Sequence, residues 1–76
     1  SIDEQYELII EHFEAMLSHY GSHTGVNLFR KHVGWYTRGM RGGAEFRNKV
    51  NQEPDPATVR DMLRQFYEPW LAKAAA

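Results

Sequence analysis

Arg30, Lys31, Arg38 and Arg41 recur within about three helical turns, and on a helical wheel they share a sector of roughly 100° with Asn27 and Gly34. Arginine and lysine at this spacing suit the phosphates of a nucleic acid backbone, and a glycine in their midst removes a side chain where that backbone would come closest. A solvated helix face is the plainer reading of such a sector. What argues against it is the absence of any Asp or Glu between residues 22 and 44, because a merely solvated surface normally intersperses both signs. Trp35 borders the sector, one turn after Lys31, where an indole either stacks on a base or packs half-buried against a neighbouring helix with its N–H on a carbonyl.

The four histidines raise a second chemistry. His12 and His19 fall on one flank of the first helical stretch and His23 lies just past its end, so three imidazoles might be thought to converge. A glycine between His19 and His23 breaks the spacing of helical ligands, and the chain has no cysteine to complete a site, so no metal is expected. His32 has no nucleophile or carboxylate near it in sequence and reads as a packing histidine rather than a general base. Without cysteine there is also no disulfide framework, no thiolate zinc site and no cysteine nucleophile. Neither a nucleophile elbow nor a phosphate-cradling strand-to-helix turn nor a dinucleotide fingerprint occurs, and Gly39, Gly42 and Gly43 read as helix-end glycines. The chain therefore carries no catalytic residues and no cofactor-binding residues of its own.

These side chains must be positioned by a small scaffold. The 76 residues suffice for one domain with one core. Net charge is −1, but residues 1–20 carry five acids and no Lys or Arg, whereas residues 26–50 carry six basic groups against the single acid Glu45. A domain polarised in this way has one face that repels polyanions and one that attracts them. The start is acidic where a secretory signal is basic, and no apolar run approaches the ~18 residues of a membrane span, so a soluble, cytoplasmic chain is expected.

Four helices with short connections account for the apolar pattern. Ser1 and Glu4 have capping-box spacing, and Ile2, Tyr6, Ile9, Ile10, Phe13, Met16, Leu17 and Tyr20 follow three and four apart until Gly21. Residues 21–25 read as a connection. Val26, Phe29, Val33, Tyr36 and Met40 make the stripe of a second helix that ends near Gly39 or at Gly42 and Gly43. A short third helix over residues 44–51 is held by Phe46 and Val50. Asp55 caps a fourth with Pro56 at its first position; Val59, Met62, Leu63, Phe66, Tyr67 and Trp70 form its stripe, Pro69 should end or kink it, and residues 73–76 read as a frayed tail. The expected fold is an all-α four-helix bundle with Ile9, Phe13, Leu17, Phe29, Val33, Leu63 and Phe66 in the core.

The order Tyr20, Gly21, Gly25, then Arg30, Lys31, His32 and, two residues on, Trp35 and Tyr36, followed by Phe46, Arg47 and Asn51, resembles the C-terminal region of bacterial tRNA-dihydrouridine synthases, in particular the B-type branch with its nitrogen-regulation homologues. The resemblance spans residues 12–67. Enzymes of that family join an FMN-binding (β/α)₈ barrel, which reduces a uridine of tRNA with NADPH, to a small helical domain that grips the tRNA. The chain resembles the second part alone. The resemblance implies that residues 1–76 are a single tRNA-binding domain, that Arg30 and Lys31, and by extension Arg38, Arg41 and Arg47, contact the RNA backbone with Asn27 and Trp35 beside them, and that the flavin contacts and the active-site cysteine belong to a barrel absent here. Its partners would be tRNA and the barrel of the same polypeptide, as a cytoplasmic monomer with no membrane contact. Two other readings compete. In one, Trp35, Trp70 and the tail dock onto other protein; in the other, the basic helix is the reader of a helix-turn-helix, although Val26, Asn27 and Leu28 offer it few base-reading side chains.

Overall fold

The computed structural model describes the backbone of residues 1–75 and the side chains of residues 1–71. It contains four helices in the order α1 (Ile2–Tyr20), α2 (Ser22–Tyr36), α3 (Gly43–Val50) and α4 (Pro56–Ala75). α1 begins with the contacts of a capping box: the amide of Glu4 donates to Oγ of Ser1 at 3.3 Å, and the Glu4 carboxylate reaches back to within 3.5 Å of the Ser1 amino nitrogen. At Gly21 the chain reaches φ 85° and ψ 169°, a conformation that a side chain strongly disfavours. The Gly21 amide closes α1 on the carbonyl of Leu17, and the Gly21 carbonyl opens α2 by accepting from Gly25. One residue therefore replaces the expected five-residue connection.

Gly25 explains why. A Cβ built there would lie 2.9 Å from the Met16 carbonyl oxygen and 3.0 Å from the Leu17 Cα, so α1 and α2 cross backbone to backbone at this point. The two glycines of the segment thus have different duties: one turns the chain and the other admits the neighbouring helix. α2 stops at Tyr36, sooner than its apolar stripe suggests. The hydroxyl of fully buried Thr37 donates to the Val33 carbonyl at 2.8 Å, and the following turn uses Gly39 and Gly42, both with positive φ. α4 is capped by Asp55, whose Oδ2 accepts from the Thr58 amide at 2.9 Å and the Thr58 hydroxyl at 2.8 Å. The helix continues through Pro69 to Ala75, so Pro69 does not end it and the expected tail over residues 73–75 is helical. Ala76 lies outside the described residues.

All four helices contribute to one core: Ile9 and Phe13; Val26, Phe29 and Val33; Phe46 and Val50; Val59, Leu63 and Tyr67. Leu17 and Phe66, expected inside, are partly buried against it. Phe13 and Phe29 meet with ring centroids 4.5 Å apart where α1 crosses α2. Gln5 ties three helices together by donating to the Tyr67 hydroxyl at 2.7 Å and to the terminal α2 carbonyl, of Tyr36, at 3.0 Å. Its bond satisfies the one polar atom of a Tyr67 ring that is otherwise wholly enclosed. Among the described residues no helix is long and apolar enough to cross a membrane.

Candidate nucleic-acid interface

The early end of α2 divides the basic sector in two. Asn27, Lys31 and Trp35, each four residues apart, form an exposed ridge along the helix, and the chain carries it on through exposed Arg38 and Arg41. Arg38 and Arg41 lie beyond Tyr36, in the turn, and so do not share the helical face on which periodicity alone placed them. Arg30 and Gly34 look the other way, toward α3 and the segment before α4.

Arg30 is partly buried: its Nη2 donates to the Glu53 carbonyl and its Nη1 donates to Oδ1 of Asn27 at 3.2 Å. The amide nitrogen of Asn27 in turn lies 3.4 Å from Nε2 of His23. Arg47 of α3 reaches back to the end of α2, its Nη1 standing 3.3 Å from both the carbonyl and the hydroxyl oxygen of Thr37. The space over Gly34 is taken by Arg47, whose Cδ would be 3.6 Å from an added Cβ. The glycine thus faces α3, where the sequence reading had an RNA backbone. Both arginines add positive charge to this corner while bonding backbone carbonyls.

The ridge residues are placed differently. Among the described residues no carboxylate comes within ion-pair distance of Lys31, Arg38 or Arg41; the paired cations are Lys49, Arg60, Arg64 and the amino terminus. Arg60 makes the best of these pairs, a two-point contact with Glu14 at 2.6 and 2.8 Å. Hydrogen bonds and the charge of Arg60 hold the Glu14 carboxyl below its ordinary value. Glu14 of α1 and Asp61 and Glu68 of α4 thus have cations beside them, whereas Asp3, Glu7 and Glu11 of α1, like the cations of the ridge, have no oppositely charged partner within ion-pair distance among the described residues.

Trp35 stands on that ridge with 67% of its surface exposed, rather than half-buried against a neighbour. Its ring meets His32 edge to face, with centroids 5.0 Å apart and planes at 88°. His32 meets His12 of α1 at 4.7 Å, and Nδ1 of His12 lies 3.2 Å from the Tyr36 hydroxyl. Burial, followed by the proximity of His12 and Lys31, pushes the His32 pKa down, which favours the neutral ring. His12 and His32 were not read from the sequence as supports for Trp35; the three-residue spacing of His32 and Trp35 was the available sign. His19 packs on Tyr20 and His23 sits beside Asn27, so the imidazoles do not converge, and among the described residues no three His, Cys, Asp or Glu side chains group as metal ligands do.

Residues 1–72 match the family model described as dihydrouridine synthase (Dus). The chain is 46% identical over 67 residues to a probable tRNA-dihydrouridine synthase of Rickettsia conorii, an alignment covering 88% of this chain and 20% of that protein. It is 38% identical over 66 residues to tRNA-dihydrouridine synthase B of Pseudomonas putida, covering 87% and 20% respectively. No solved structure gives a significant match. The chain spans about a fifth of the length of the curated relatives it matches, and on the extent of the family match it belongs to the dihydrouridine synthase family.

Proposed function

We propose that this chain is the C-terminal, tRNA-binding helical domain of a B-type tRNA-dihydrouridine synthase, and that it positions tRNA for uridine reduction carried out elsewhere in the parent polypeptide. The observation that carries the reading is the exposed ridge of Lys31, Arg38 and Arg41, reinforced by Arg30 and Arg47, in which no cation is matched to a carboxylate of the described residues. Charge left unmatched by the fold is available to an external polyanion. Contacts of this type fix register on phosphates and leave sequence unread, as befits a domain that grips folded RNA by shape. Trp35 and Asn27 flank the cations.

The domain works as a cytoplasmic monomer against tRNA and the catalytic remainder of its own chain, with no membrane contact. FMN and NADPH belong to that remainder. Two surface grooves among the described residues do not fit a flavin nucleotide: one, along α1, presents Glu7, Glu11 and Glu14 where a phosphate would need cations, and the other, of about 280 Å³ between α3 and α4, offers Lys49 already paired with Glu45. No reaction step is assigned to any residue of this chain.

The isolated chain should bind tRNA with Kd on the order of 10⁻⁴ to 10⁻⁶ M at physiological salt, as one part of a larger grip. FMN should not bind. Calorimetric titration with each checks both statements, and tight flavin binding by these residues would overturn the division of labour. A protein-docking domain is the second reading, favoured by the exposure of Leu8 and Tyr20 on α1, and it takes over if tRNA fails to bind at low salt.

A further inference from the structure

We infer that Trp35 is a stacking platform for one unpaired RNA base, held in place by the His12–His32 pair and flanked by Lys31 and Arg38 as contacts to the phosphates on either side; this rests on the tRNA-binding reading above. Three observations lead there. An indole that is 67% exposed has not been recruited to the core, although the core takes up aromatic rings from every helix. An exposed indole among cations presents a π-face on which a base can stack.

The indole is also braced on one side. Its edge-to-face contact with His32 occupies at most one face of the ring system and leaves the opposite face open. His32 cannot readily swing aside, because His12 of the neighbouring helix abuts it at 4.7 Å and His12 is itself placed against the Tyr36 hydroxyl. A platform held in this way loses little side-chain freedom when a base settles on it.

Finally, the charges surrounding it suit a single strand. Lys31 stands one turn before Trp35 and Arg38 three residues after it, both exposed and neither with a carboxylate within ion-pair distance among the described residues. An aromatic face bracketed by cations is the arrangement that holds an unstacked nucleotide with its two flanking phosphates. A paired base in a helix keeps its faces covered by its neighbours, so the partner is a loop or a bulge, where bases are splayed out.

Fluorescence provides the test, in a Trp70→Phe background so that Trp35 is the remaining tryptophan. At low salt the probes are a four-nucleotide oligouridylate, a blunt RNA duplex and inorganic tripolyphosphate. The oligouridylate should quench Trp35 emission strongly at saturation, and the duplex and tripolyphosphate should bind with little quenching. Trp35→Ala should weaken oligouridylate binding on the order of tenfold with its salt slope unchanged, and Trp35→Phe should recover most of the loss. Oligouridylate that binds with full affinity to Trp35→Ala, or that saturates the chain without altering Trp35 emission, overturns the platform and assigns the indole to a protein contact, while the electrostatic reading stands. A chain that binds no probe and no tRNA overturns both.

Discussion

The α1–α4 side of the molecule and the α2 ridge handle charge in opposite ways. On the first, Glu14 and Arg60 close on each other across helices, Arg64 sits between Asp61 and Glu68, and even the amino terminus has Glu4 beside it. On the second, Lys31, Arg38 and Arg41 stand exposed with no carboxylate within ion-pair distance among the described residues. Solvent-exposed ion pairs add little to stability, commonly ~0 to 1 kcal/mol each, so the pairing does not hold the fold together. Its effect is on the local field: Glu14 is offset by Arg60, but Asp3, Glu7 and Glu11 have no cation within ion-pair distance among the described residues, so α1 stays acidic while the Lys31, Arg38 and Arg41 side is positive. The difference teaches that net charge, −1 for the whole chain, says little about what a small domain attracts.

The most damaging way to break the comparison is to remove the core that keeps both faces in place. Phe13 is fully buried and packed against Phe29 with the rings tilted by 39°. Phe13→Ala should cost roughly 3 to 5 kcal/mol, a large share of the stability of so small a domain, and the variant should be largely unfolded by circular dichroism at room temperature.

Two glycines of α2 sharpen it, because substitutions toward α1 and toward α3 should give opposite signs. Gly25→Ala would drive a Cβ into the α1 backbone, and it should destabilise by about 1 to 3 kcal/mol and lower the melting temperature. Gly34→Ala meets only ordinary contact with Arg47 and gains helix propensity, about 0.8 to 1 kcal/mol at an open site, so its melting temperature should rise. Its tRNA affinity should be unchanged, since the added methyl faces α3.

Acid should act on the two regions in turn. His32 has its pKa pushed down by burial and by its neighbours His12 and Lys31, so the folded state binds its proton less well than the unfolded chain does. That contribution is complete above the ordinary histidine value of ~6.5 and is lost as pH falls through the lowered one. Asp55, lowered by its bonds from Thr58, and Glu14, lowered by Arg60, behave likewise in the carboxylate range: their contribution is present above the ordinary values and is lost as pH falls through the depressed ones. Melting temperature followed from pH 8 downward should therefore fall first by a His32 step, which His32→Gln removes, and later by a carboxylate step, which Glu14→Gln reduces.

The elements of this fold were legible wherever a residue type has one job. Ser1 with Glu4 and Asp55 with Pro56 marked helix starts, and the apolar stripes identified most of the core. Gly25 was misread as loop because close helix packing and a flexible connection use the same residue, and only the neighbour's position tells them apart. The end of α2 differs for a similar reason: Met40 continues the apolar period although the backbone leaves the helix at Thr37 and turns through Gly39 and Gly42, both with positive φ. At the site, the basic residues were identifiable from the lack of acids, but their division was not. That Arg30 serves Glu53 and Arg47 serves Thr37 depends on the placement of α3, which no local pattern reveals.

The most direct test compares the unpaired and paired cations as sets. One variant carries Lys31→Ala, Arg38→Ala and Arg41→Ala; the other carries Lys49→Ala and Arg64→Ala, whose side chains sit beside Glu45 and beside Asp61 and Glu68. Arg30 and Arg47 are left intact because they hold the backbone. Both variants should keep the parent's helical signal. For the parent, log K for tRNA should fall with log salt at a slope whose ridge share is roughly −2 to −3, about 0.7 to 0.9 per phosphate neutralised. The ridge variant should lose that share, with similar losses on different tRNAs, and the paired-cation variant should bind nearly as the parent does. A folded ridge variant that keeps the parent's affinity and slope, or two variants that lose equally, would contradict the claim that the exposed run from Lys31 of α2 through Arg38 and Arg41 of the following turn is where the polyanion binds.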